Sequence, residues 1–332
     1  MTQPKLLLLS PAFHGYWKAI QVSLEVHGYE VCTHIYDAPG TLPERILNKL
    51  AHELPEKYRP ESFAAQATRK AIDAFNEFRP DIVLVIKGDM LSREWWDLLE
   101  TSGVRYGTWL YDEMRRMSYT EEDLHHLGSL ASYSPLDAQH LREQGFEVLD
   151  MPNAYDTHCP VVPMREDSIN FVGAKYPNRE ETLQALVAAG LPVRAYGRAW
   201  SRHPYDILRT KQFKDSGVPA GRDVDRSEAY GIMASSPATL NIHNNQDGFT
   251  MRTFEAPGVG ALQVIDRADV DRYYIPGEEV LVYESIDELI EICIRIFREP
   301  KWARQIREAG QKRTLAEHTF DQRVKILEQL WA

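Results

Sequence analysis

The chain contains few cysteines. Only three occur in 332 residues, Cys32, Cys159 and Cys293, and they lie far apart with no C-x-x-C pair. This spacing argues against a disulfide framework and also against a zinc site, whose ligands are closely spaced. The three thiols are expected to be isolated and buried, in a reducing cytosol.

Long apolar runs are also missing. No stretch approaches the length of about 20 residues that a helix needs to cross a bilayer. The amino terminus leads from Met1-Thr2-Gln3-Pro4-Lys5 into only four leucines before Ser10 and Pro11. That run is too short for the apolar core of a signal peptide. We therefore expect a cytoplasmic protein with no membrane span.

Positive charge is in deficit. Lys and Arg number 38 against 49 Asp and Glu, for a formal net charge of −11. A broad surface for binding nucleic acid or an anionic membrane needs a clustered basic face, so the acidic net charge disfavours it. A small local binding site is still compatible with this charge. The most basic region comprises Arg194, Arg198, Arg202, His203, Lys211 and Lys214. A solvated surface explains this region most simply, and binding of a diphosphate is the alternative for the arginines nearest the predicted strand end.

The composition is that of an ordinary folded chain, with 43% hydrophobic and 26% charged residues. Its length suits two domains of about 150 residues. An apolar strand at Lys5–Leu9, a helical period at Trp17–His27 and a strand at Glu30–Tyr36 predict a β-α-β opening, hence a parallel sheet. Further strands are predicted at Asp81–Lys87 and Val104–Tyr111. No G-x-G-x-x-G follows the first strand, so a dinucleotide fingerprint is absent.

Helices are predicted between these strands and through the second half of the chain. Helical patterns at Pro43–Leu54 and Glu61–Phe78 would cover one face of the first sheet. In the second half, helices are predicted at Asp223–Ser235, Ile286–Phe297, Trp302–Ala316 and Phe320–Leu330. Residues 201–221 show no clear period.

Open α/β sheets bind ligands at the loops that follow the carboxyl ends of their strands. His14 lies in the loop after the first strand. It is a candidate catalytic or acceptor-binding residue, and a cap of the following helix is the alternative.

The stretch from Thr239 to Asp266 carries the strongest functional signal. A buried strand at Ala238–Ile242 ends in a polar turn, and a short helix is predicted to begin near Thr250. The first amides of a helix have no partner within it and lie at the positive end of its dipole, so they can bind a phosphate. Arg252, one turn into the helix, would supply a second cation.

Two carboxylates accompany this predicted phosphate site. Asp247 and Glu255 lie eight residues apart, one in the loop and one inside the helix. Carboxylates are poor phosphate ligands but good acceptors for sugar hydroxyls, so the combination suits a sugar nucleotide. The alternative is that the loop carboxylate only caps the helix. The donor-binding candidates of this pocket, residues 241–255, are Asn241, His243, Gly248, Thr250, Arg252 and Glu255.

At these residues the chain resembles a known family. Asp247-Gly248-Phe249 followed by Arg252-Thr253-Phe254-Glu255-Ala256 resembles the spore-maturation, CgeB-like branch of the GT-B glycosyltransferases. The block is also similar to the E-x7-E signature of retaining GT-B enzymes, with Asp247 in place of the first Glu. The resemblance implies that Glu255 binds the nucleotide ribose and that Asp247 binds the transferred sugar. The Glu-to-Asp change shortens that side chain by one methylene and leaves the sugar's identity open.

The resemblance extends to the loops before this block. After a predicted strand at Ile169–Val172, it implies that Gly173, Lys175 and Arg179 contact the donor diphosphate. After the strand at Pro192–Tyr196, Gly197-Arg198-Ala199-Trp200 is similar to the family's YG-x-x-W element. Arg198 is therefore a donor-binding candidate. Trp200 is either a wall of the nucleotide pocket or a core residue.

In the first half, Trp109-Leu110-Tyr111-Asp112 looks like the family's W-x-x-D element. If the reaction inverts the anomeric centre, Asp112 is the candidate general base for the acceptor proton. If it retains, Asp112 would hold the acceptor or order the loop. A solvated acidic loop is the alternative.

The resemblance implies an α/β protein of the GT-B type, with two Rossmann-like domains whose parallel sheets face across a cleft. We place the acceptor domain at 1–155, the nucleotide-sugar domain at 156–312 and a C-terminal helix that crosses back at 313–332. The expected reaction is metal-independent, retaining transfer from a nucleoside-diphosphate sugar, with UDP-glucose as the commonest donor. The sequence does not identify the acceptor, which could be a glycan, a small molecule, a protein or modified DNA. The alternatives are a GT-B-fold epimerase or phosphorylase and a non-catalytic sugar-nucleotide-binding module.

Overall fold

The computed structural model describes residues 3–38 and 62–332, so the helix predicted at Pro43–Leu54 lies outside the described residues. The chain divides into two compact units. One consists of Met1–Pro152 together with Phe320–Ala332, and the other of Asn153–Thr319. The sequence prediction places the corresponding boundaries at 155/156 and 312/313.

The described residues of the first unit form a parallel sheet of six strands. The strands are β1 (Lys5–Ser10), β2 (Glu30–Ile35), β3 (Ile82–Ile86), β4 (Arg105–Leu110), β5 (Ser129–Ser132) and β6 (Val148–Asp150). Their order is β2-β1-β3-β4-β5-β6. The side chains from Leu6 to Leu9 are fully buried because this strand pairs on both sides and is covered on both faces.

Helices connect these strands. They are α1 (Tyr16–Val26), α2 (Ser62–Phe78), α3 (Arg93–Ser102), α4 (Glu121–Leu124) and α5 (Pro135–Glu143). The sequence dictates where several begin. Thr120 and Asp123 form a reciprocal capping box at the start of α4, and Ser134 accepts a hydrogen bond from the backbone of Asp137 at the start of α5.

The second unit has its own parallel sheet of six strands. The strands are β7 (Ile169–Val172), β8 (Val193–Tyr196), β9 (Ala220–Gly221), β10 (Thr239–Asn241), β11 (Gln263–Ile265) and β12 (Leu281–Val282). Their order is β12-β11-β10-β7-β8-β9. Leu240 pairs with Val264 on one side and with Phe171 on the other, which places β10 in the middle of the sheet.

The helices of the second unit lie between its strands. They are α6 (Pro177–Ala188), α7 (Pro204–Thr210), α8 (Arg226–Ser235), α9 (Arg252–Gly258), α10 (Ile286–Arg298) and α11 (Pro300–Glu317). The predicted helix at Asp223–Ser235 begins three residues later because Asp225 and Glu228 form a capping box that fixes its start. Residues 201–221, for which no period is visible, contain α7 and the two-residue β9.

The last helix, α12 (Phe320–Leu327), belongs to the first unit by its contacts. Arg323 is buried and donates to the carbonyl of Pro152 at 2.8 Å. Further on, the Trp331 indole donates to the Tyr29 hydroxyl at 3.2 Å. A Cβ on Gly107 of β4 would come within 2.7 Å of the Leu330 Cβ, so close packing at this end of the chain requires glycine there.

These observations confirm the prediction of an α/β fold with two domains, each built on a parallel sheet. In both sheets the strand order reverses direction once, between β1 and β3 in the first and between β7 and β10 in the second. The crevice at the carboxyl ends of the strands beside such a reversal is where open α/β sheets bind ligands. None of the described helices is long and apolar enough to cross a membrane.

Cys293 of α10 should be inert toward thiol reagents in the folded protein. It is fully buried, and burial raises the pKa of its thiol to about 12. At pH about 8 only about one thiol in ten thousand would be the reactive thiolate. We expect iodoacetamide to modify the partly exposed Cys32 and Cys159 first, and Cys293 only after denaturation, as followed by peptide mass spectrometry. Equal native rates for Cys293 and Cys159 would contradict the packing of α10.

Candidate functional site

The loops after β7 and β10 flank the strand-order reversal of the second sheet, and the first turn of α6, which follows the β7 loop, is hydrogen-bonded to the β10 loop. The Asn178 amide donates to the carbonyl of His243 at 2.8 Å, across 65 residues of sequence. The Arg179 guanidinium donates to the carbonyl of Ile242, also at 2.8 Å. The structure therefore brings the predicted residues of these two loops to one crevice.

Arg179 is a structural link in this crevice. It is buried, lies over the rings of Phe171 and Tyr176, and donates to the carbonyl of Ala174 at 3.0 Å as well as to Ile242. Burial lowers the pKa of its guanidinium. The sequence-based role was an open cation for a diphosphate. Tertiary packing has given Nε and one terminal nitrogen backbone partners, and contact of the guanidinium with a diphosphate stays a prediction.

The other loop residues are close by. Lys175 pairs with Glu180 at 2.8 Å and lies 5.5 Å from the Trp200 ring. Trp200 is buried and its indole donates to the carbonyl of Gly173 at 3.0 Å, which makes it the core residue of the two alternatives. A Cβ on Gly197, whose φ is +152°, would approach the Gly173 carbonyl oxygen to 2.6 Å, so only glycine permits this contact between the loops.

Arg198 has a different partner from the loop residues described above. Its guanidinium pairs with Asp223 at 2.8 Å, and both side chains are exposed. An exposed ion pair of this kind contributes little stability.

Strand β10 is fastened to the helix that follows it. The buried side-chain amide of Asn241 donates to the Thr253 hydroxyl at 2.9 Å and to the side-chain Oε1 of Gln263 at 3.0 Å. Asn241 thus positions α9 against β10 and β11. The helix begins at Arg252, two residues later than predicted. Thr250 precedes it, and its carbonyl accepts from the amide of Thr253 at 3.0 Å.

Glu255 has a fully buried carboxylate between two donors. The Arg252 guanidinium donates to it at 2.8 Å and the Tyr230 hydroxyl of α8 at 3.1 Å. In this arrangement the carboxylate orients Arg252, whose side chain is 22% exposed. The sequence-based role was an open acceptor for a ribose hydroxyl. The carboxylate has no exposed surface in this structure, and its contact with a ribose hydroxyl stays a prediction.

Arg267 organises the loop that carries Asp247. Its guanidinium donates to the carbonyls of Gln246 and Asp247, each at 2.9 Å, and reaches that of Gly248 at 3.5 Å. It also lies 4.2 Å from the centre of the Phe249 ring. Sequence reasoning missed this residue. The signal available was its place directly after β11, the neighbour of β10, at the same sheet edge.

His243, the first residue of the loop after β10, is buried beside Asp266. Its backbone amide donates to one carboxylate oxygen of Asp266 and its Nδ1 lies 2.8 Å from the other. With Nδ1 as the donor, the neutral ring keeps Nε2 as an acceptor. Among the described residues Nε2 is buried with no hydrogen-bond partner. The pair therefore offers one unused ring nitrogen in the loop at the strand-order reversal.

The candidates in the first unit lie at the carboxyl edge of its own sheet. Asp112, after β4, is 3.3 Å from the Lys87 ammonium and 3.9 Å from the Arg116 guanidinium, and its side chain is 31% exposed. His14, after β1, is exposed and adopts a left-handed φ of 46°. The sequence interpretation overlooked Glu113, which is buried and accepts from the Tyr133 hydroxyl at 3.1 Å.

Comparisons with known proteins agree with this architecture. Residues 179–329 match the family model described as glycosyl transferase-like. Spore protein CgeB of Bacillus subtilis is 20% identical over 265 residues, covering 74% of this chain and 81% of CgeB.

Among solved structures, sucrose-phosphate synthase from Thermosynechococcus elongatus superposes with a TM-score of 0.64 at 14% identity, covering 99% of this chain and 98% of that one. HepE of Anabaena, solved in complex with UDP and glucose, has a TM-score of 0.63 at 12% identity, with 98% and 99% covered. UDP-GlcNAc 2-epimerase from Neisseria meningitidis has a TM-score of 0.59 at 12% identity, also with 98% and 99% covered.

The matched segment contains β10, α9 and the part of α6 from Arg179 onward, and the structural similarity extends over both units. Taken with the two parallel sheets, these matches show that the chain has the two-domain GT-B fold and that it is similar to glycosyl transferase-like proteins, among them CgeB.

Proposed function

We propose that this enzyme transfers a hexosyl group from a nucleoside-diphosphate sugar to an acceptor hydroxyl, and that the second unit holds the donor. The observation that carries the proposal is the pair of hydrogen bonds from Asn178 and Arg179 to the carbonyls of His243 and Ile242. They join the start of α6 to the loop after β10 at a strand-order reversal, where doubly wound sheets bind nucleotides. In the transfer, the bond from the anomeric carbon to the diphosphate breaks and its electron pair leaves with the nucleoside diphosphate. A bond to the acceptor oxygen forms as the acceptor proton departs.

The loop after β10 would hold the sugar and the diphosphate. Arg252, fixed by Glu255, would face the diphosphate as a charged donor. The Asp247 carboxylate would accept from a hydroxyl of the transferred sugar, in a loop held by Arg267. The Nε2 of His243 would accept a hydrogen bond from another hydroxyl of the sugar nucleotide. That hydroxyl would supply the partner that this buried atom requires.

The remaining loop candidates would shape the pocket. Gly173 and Gly248 would allow the donor to approach the backbone closely. Lys175 and Arg198 are cations with carboxylate partners at 2.8 Å, and a diphosphate would compete with Glu180 and Asp223 for them.

UDP-glucose is the donor we propose to test first. HepE of Anabaena, which shares the fold, has been solved with UDP-glucose and with UDP. The first unit would then receive the acceptor. Asp112, oriented by Lys87, would hold or deprotonate the attacking hydroxyl, and the exposed His14 would contact the acceptor.

Free nucleoside diphosphate should accumulate only when an acceptor is present. We expect a thermal-shift screen of nucleotide sugars to identify the donor, after which a coupled assay for UDP is run with and without pools of glycans, small hydroxylated molecules, proteins and modified DNA. Asp247→Asn should lower acceptor-dependent release by about tenfold or more because the loop loses its charged acceptor. Asp271→Asn, at an exposed position, is the control. Stabilisation by a donor with no turnover in any pool would favour a binding module instead.

The same reaction reports the stereochemistry and the need for metal. We propose retention at the anomeric carbon, on the basis of the Asp247 and Glu255 spacing, and metal-independent transfer. Proton NMR of the first-formed product should show the anomeric configuration of the donor, and excess chelator should leave the initial rate unchanged. An inverted product would make Asp112 the general base, and a rate lost with chelator and restored by a divalent cation would overturn metal independence.

A sugar-nucleotide epimerase is the second candidate. The similarity of the fold to UDP-GlcNAc 2-epimerase favours it, at a TM-score of 0.59. An epimerase converts or cleaves its sugar nucleotide with no acceptor, so NMR of donor incubated with enzyme alone separates the two functions. A changed sugar under those conditions would replace the proposal of transfer.

A further inference from the structure

A cluster of exposed apolar and basic side chains lies on the second unit, on α7 and the loop after it. Its large hydrophobic side chains are exposed at 58% for Tyr205, 73% for Leu208 and 69% for Phe213. The cations interleaved with them are also exposed. We define the basic-apolar patch as Tyr205, Leu208, Arg209, Lys211, Phe213 and Lys214.

Helix α7 has the reverse of the usual polarity of a surface helix. Its buried residue is Asp206, whereas Tyr205 and Leu208, three residues apart on one face, point to solvent. A helix that packs by its apolar face would bury these two side chains and expose the carboxylate. Packing within its own unit therefore does not explain the apolar face.

Polar contacts hold α7 in this orientation. Asp206 accepts from the Ser201 hydroxyl at 2.8 Å and from the Arg222 guanidinium at 2.9 Å. The Arg222 and Ser201 hydrogen bonds also lower the pKa of this carboxyl, so it stays charged at neutral pH. The anchor fixes the apolar side chains on the outside of the unit.

The loop after α7 is held beside the helix. Lys211 adopts a left-handed φ of 56° and ends the helix. The Arg202 guanidinium, just before the helix, donates to the carbonyl of Phe213 at 3.3 Å and lies 3.6 Å from Asp215. The chain at Phe213 and Lys214 thus returns toward the start of α7, so the exposed side chains of the loop lie near the helix.

We propose that the basic-apolar patch docks the enzyme on an anionic lipid surface. The chain carries a net charge of −11, so this local concentration of cations opposes the charge of the whole molecule and favours an anionic partner. Exposed leucine and aromatic side chains ringed by Lys and Arg suit the boundary between lipid headgroups and acyl chains. Tyr205 and Phe213 could stack on bases, but Leu208, the most exposed of the apolar set, could not, whereas all three suit acyl chains, which favours lipid over a polynucleotide.

Cosedimentation with vesicles tests the proposal on the full chain. We expect binding to phosphatidylcholine vesicles in which about a third of the lipid is phosphatidylglycerol, and little binding to phosphatidylcholine alone. Raising salt from about 0.1 M to about 1 M should weaken binding because the Debye length falls from about 10 Å to about 3 Å. Arg209→Gln with Lys214→Gln should weaken it about 25-fold, at about fivefold per cation. Leu208→Ser with Phe213→Ser should weaken it by about tenfold or more.

Matched variants control for exposed residues elsewhere. Val26 and Leu136 are 63% and 61% exposed in the first unit, and Arg165 has a side chain 89% exposed. Val26→Ser with Leu136→Ser, and Arg165→Gln, should bind vesicles as the wild type does. All variants should keep the wild-type urea midpoint, since none of these residues belongs to a core cluster of the described residues.

Three results would overturn the proposal. The first is no binding of the wild type to anionic vesicles, or equal binding by the patch variants. The second is a dimer, measured by light scattering, that the patch variants dissociate, since a second copy would then cover the patch. The third is displacement of the protein from vesicles by a single-stranded oligonucleotide whose own binding requires the patch.

Discussion

Glu255→Ala is expected to abolish donor turnover and to lower the free energy of unfolding by about 3 kcal/mol. The carboxylate is fully buried at 2.8 Å from Arg252, whose side chain is itself only 22% exposed. Removing one member of such a pair leaves the other charge poorly solvated and without its acceptor. The Tyr230 hydroxyl, which donates to Glu255 at 3.1 Å, loses its acceptor as well. Urea unfolding and the UDP-release assay measure the two effects.

The isosteric variant separates stability from function. Glu255→Gln keeps an acceptor for Tyr230 but loses the charge that orients Arg252. The variant should therefore fold, and its rate of donor turnover should fall by about tenfold or more. Asp97→Ala removes a carboxylate from an exposed pair with Arg93 at 2.6 Å and should cost less than about 1 kcal/mol. A folded Glu255→Gln variant with normal donor affinity and rate would remove Glu255 from the donor site.

Arg267→Met is expected to weaken binding of UDP by about 10- to 100-fold while leaving the unit folded. This guanidinium contacts the carbonyls of Gln246, Asp247 and Gly248, so its removal releases the loop that carries Asp247. The lost contacts are hydrogen bonds to a charged donor, each worth about 1.5 to 3 kcal/mol. Isothermal titration with UDP and the KM for the donor report the change.

A lysine at the same position sharpens this test. Arg267→Lys keeps the charge, but an ammonium lacks the planar fork that spans several carbonyls, so UDP binding should be nearly as weak as in Arg267→Met. Arg272→Met, at an exposed position five residues on, is the matched control and should bind UDP normally. If a folded Arg267→Met variant binds UDP as the wild type does, the loop after β10 does not form the donor site.

The strands were predictable wherever burial on both faces makes the sequence an apolar run. Lys5–Leu9 was predicted and β1 is Lys5–Ser10, and the run at Ala238–Ile242 contains β10. Helix starts were less accurate because caps decide them. Asp225 moves the start of α8 from residue 223 to 226. Residues 201–221 show no helical period in the sequence. Helix α7 lies there, but it buries the carboxylate of Asp206, so its apolar residues do not follow the period of a packed helix.

The candidate site was predictable as a set of loops. Strand ends at the carboxyl edge of a parallel sheet converge, so Gly173, His243 and Asp247 could be assigned to one edge from their order alone. The role of each charged side chain was not predictable in this way. Lys175, Arg179 and Glu255 have protein partners that come from loop packing, and Arg267 acts on backbone carbonyls about 20 residues earlier in the chain.

By itself the sequence determined the fold class, the number of domains and which loops follow the strand ends of each sheet, because apolar periodicity and loop polarity are local properties of the chain. Only the tertiary structure decided which cations have carboxylate or carbonyl partners. It also decided that Nε2 of His243 has no hydrogen-bond partner among the described residues, and that α7 exposes its apolar side chains. These outcomes depend on hydrogen bonds between residues far apart in sequence, whose partners are chosen when the loops pack together.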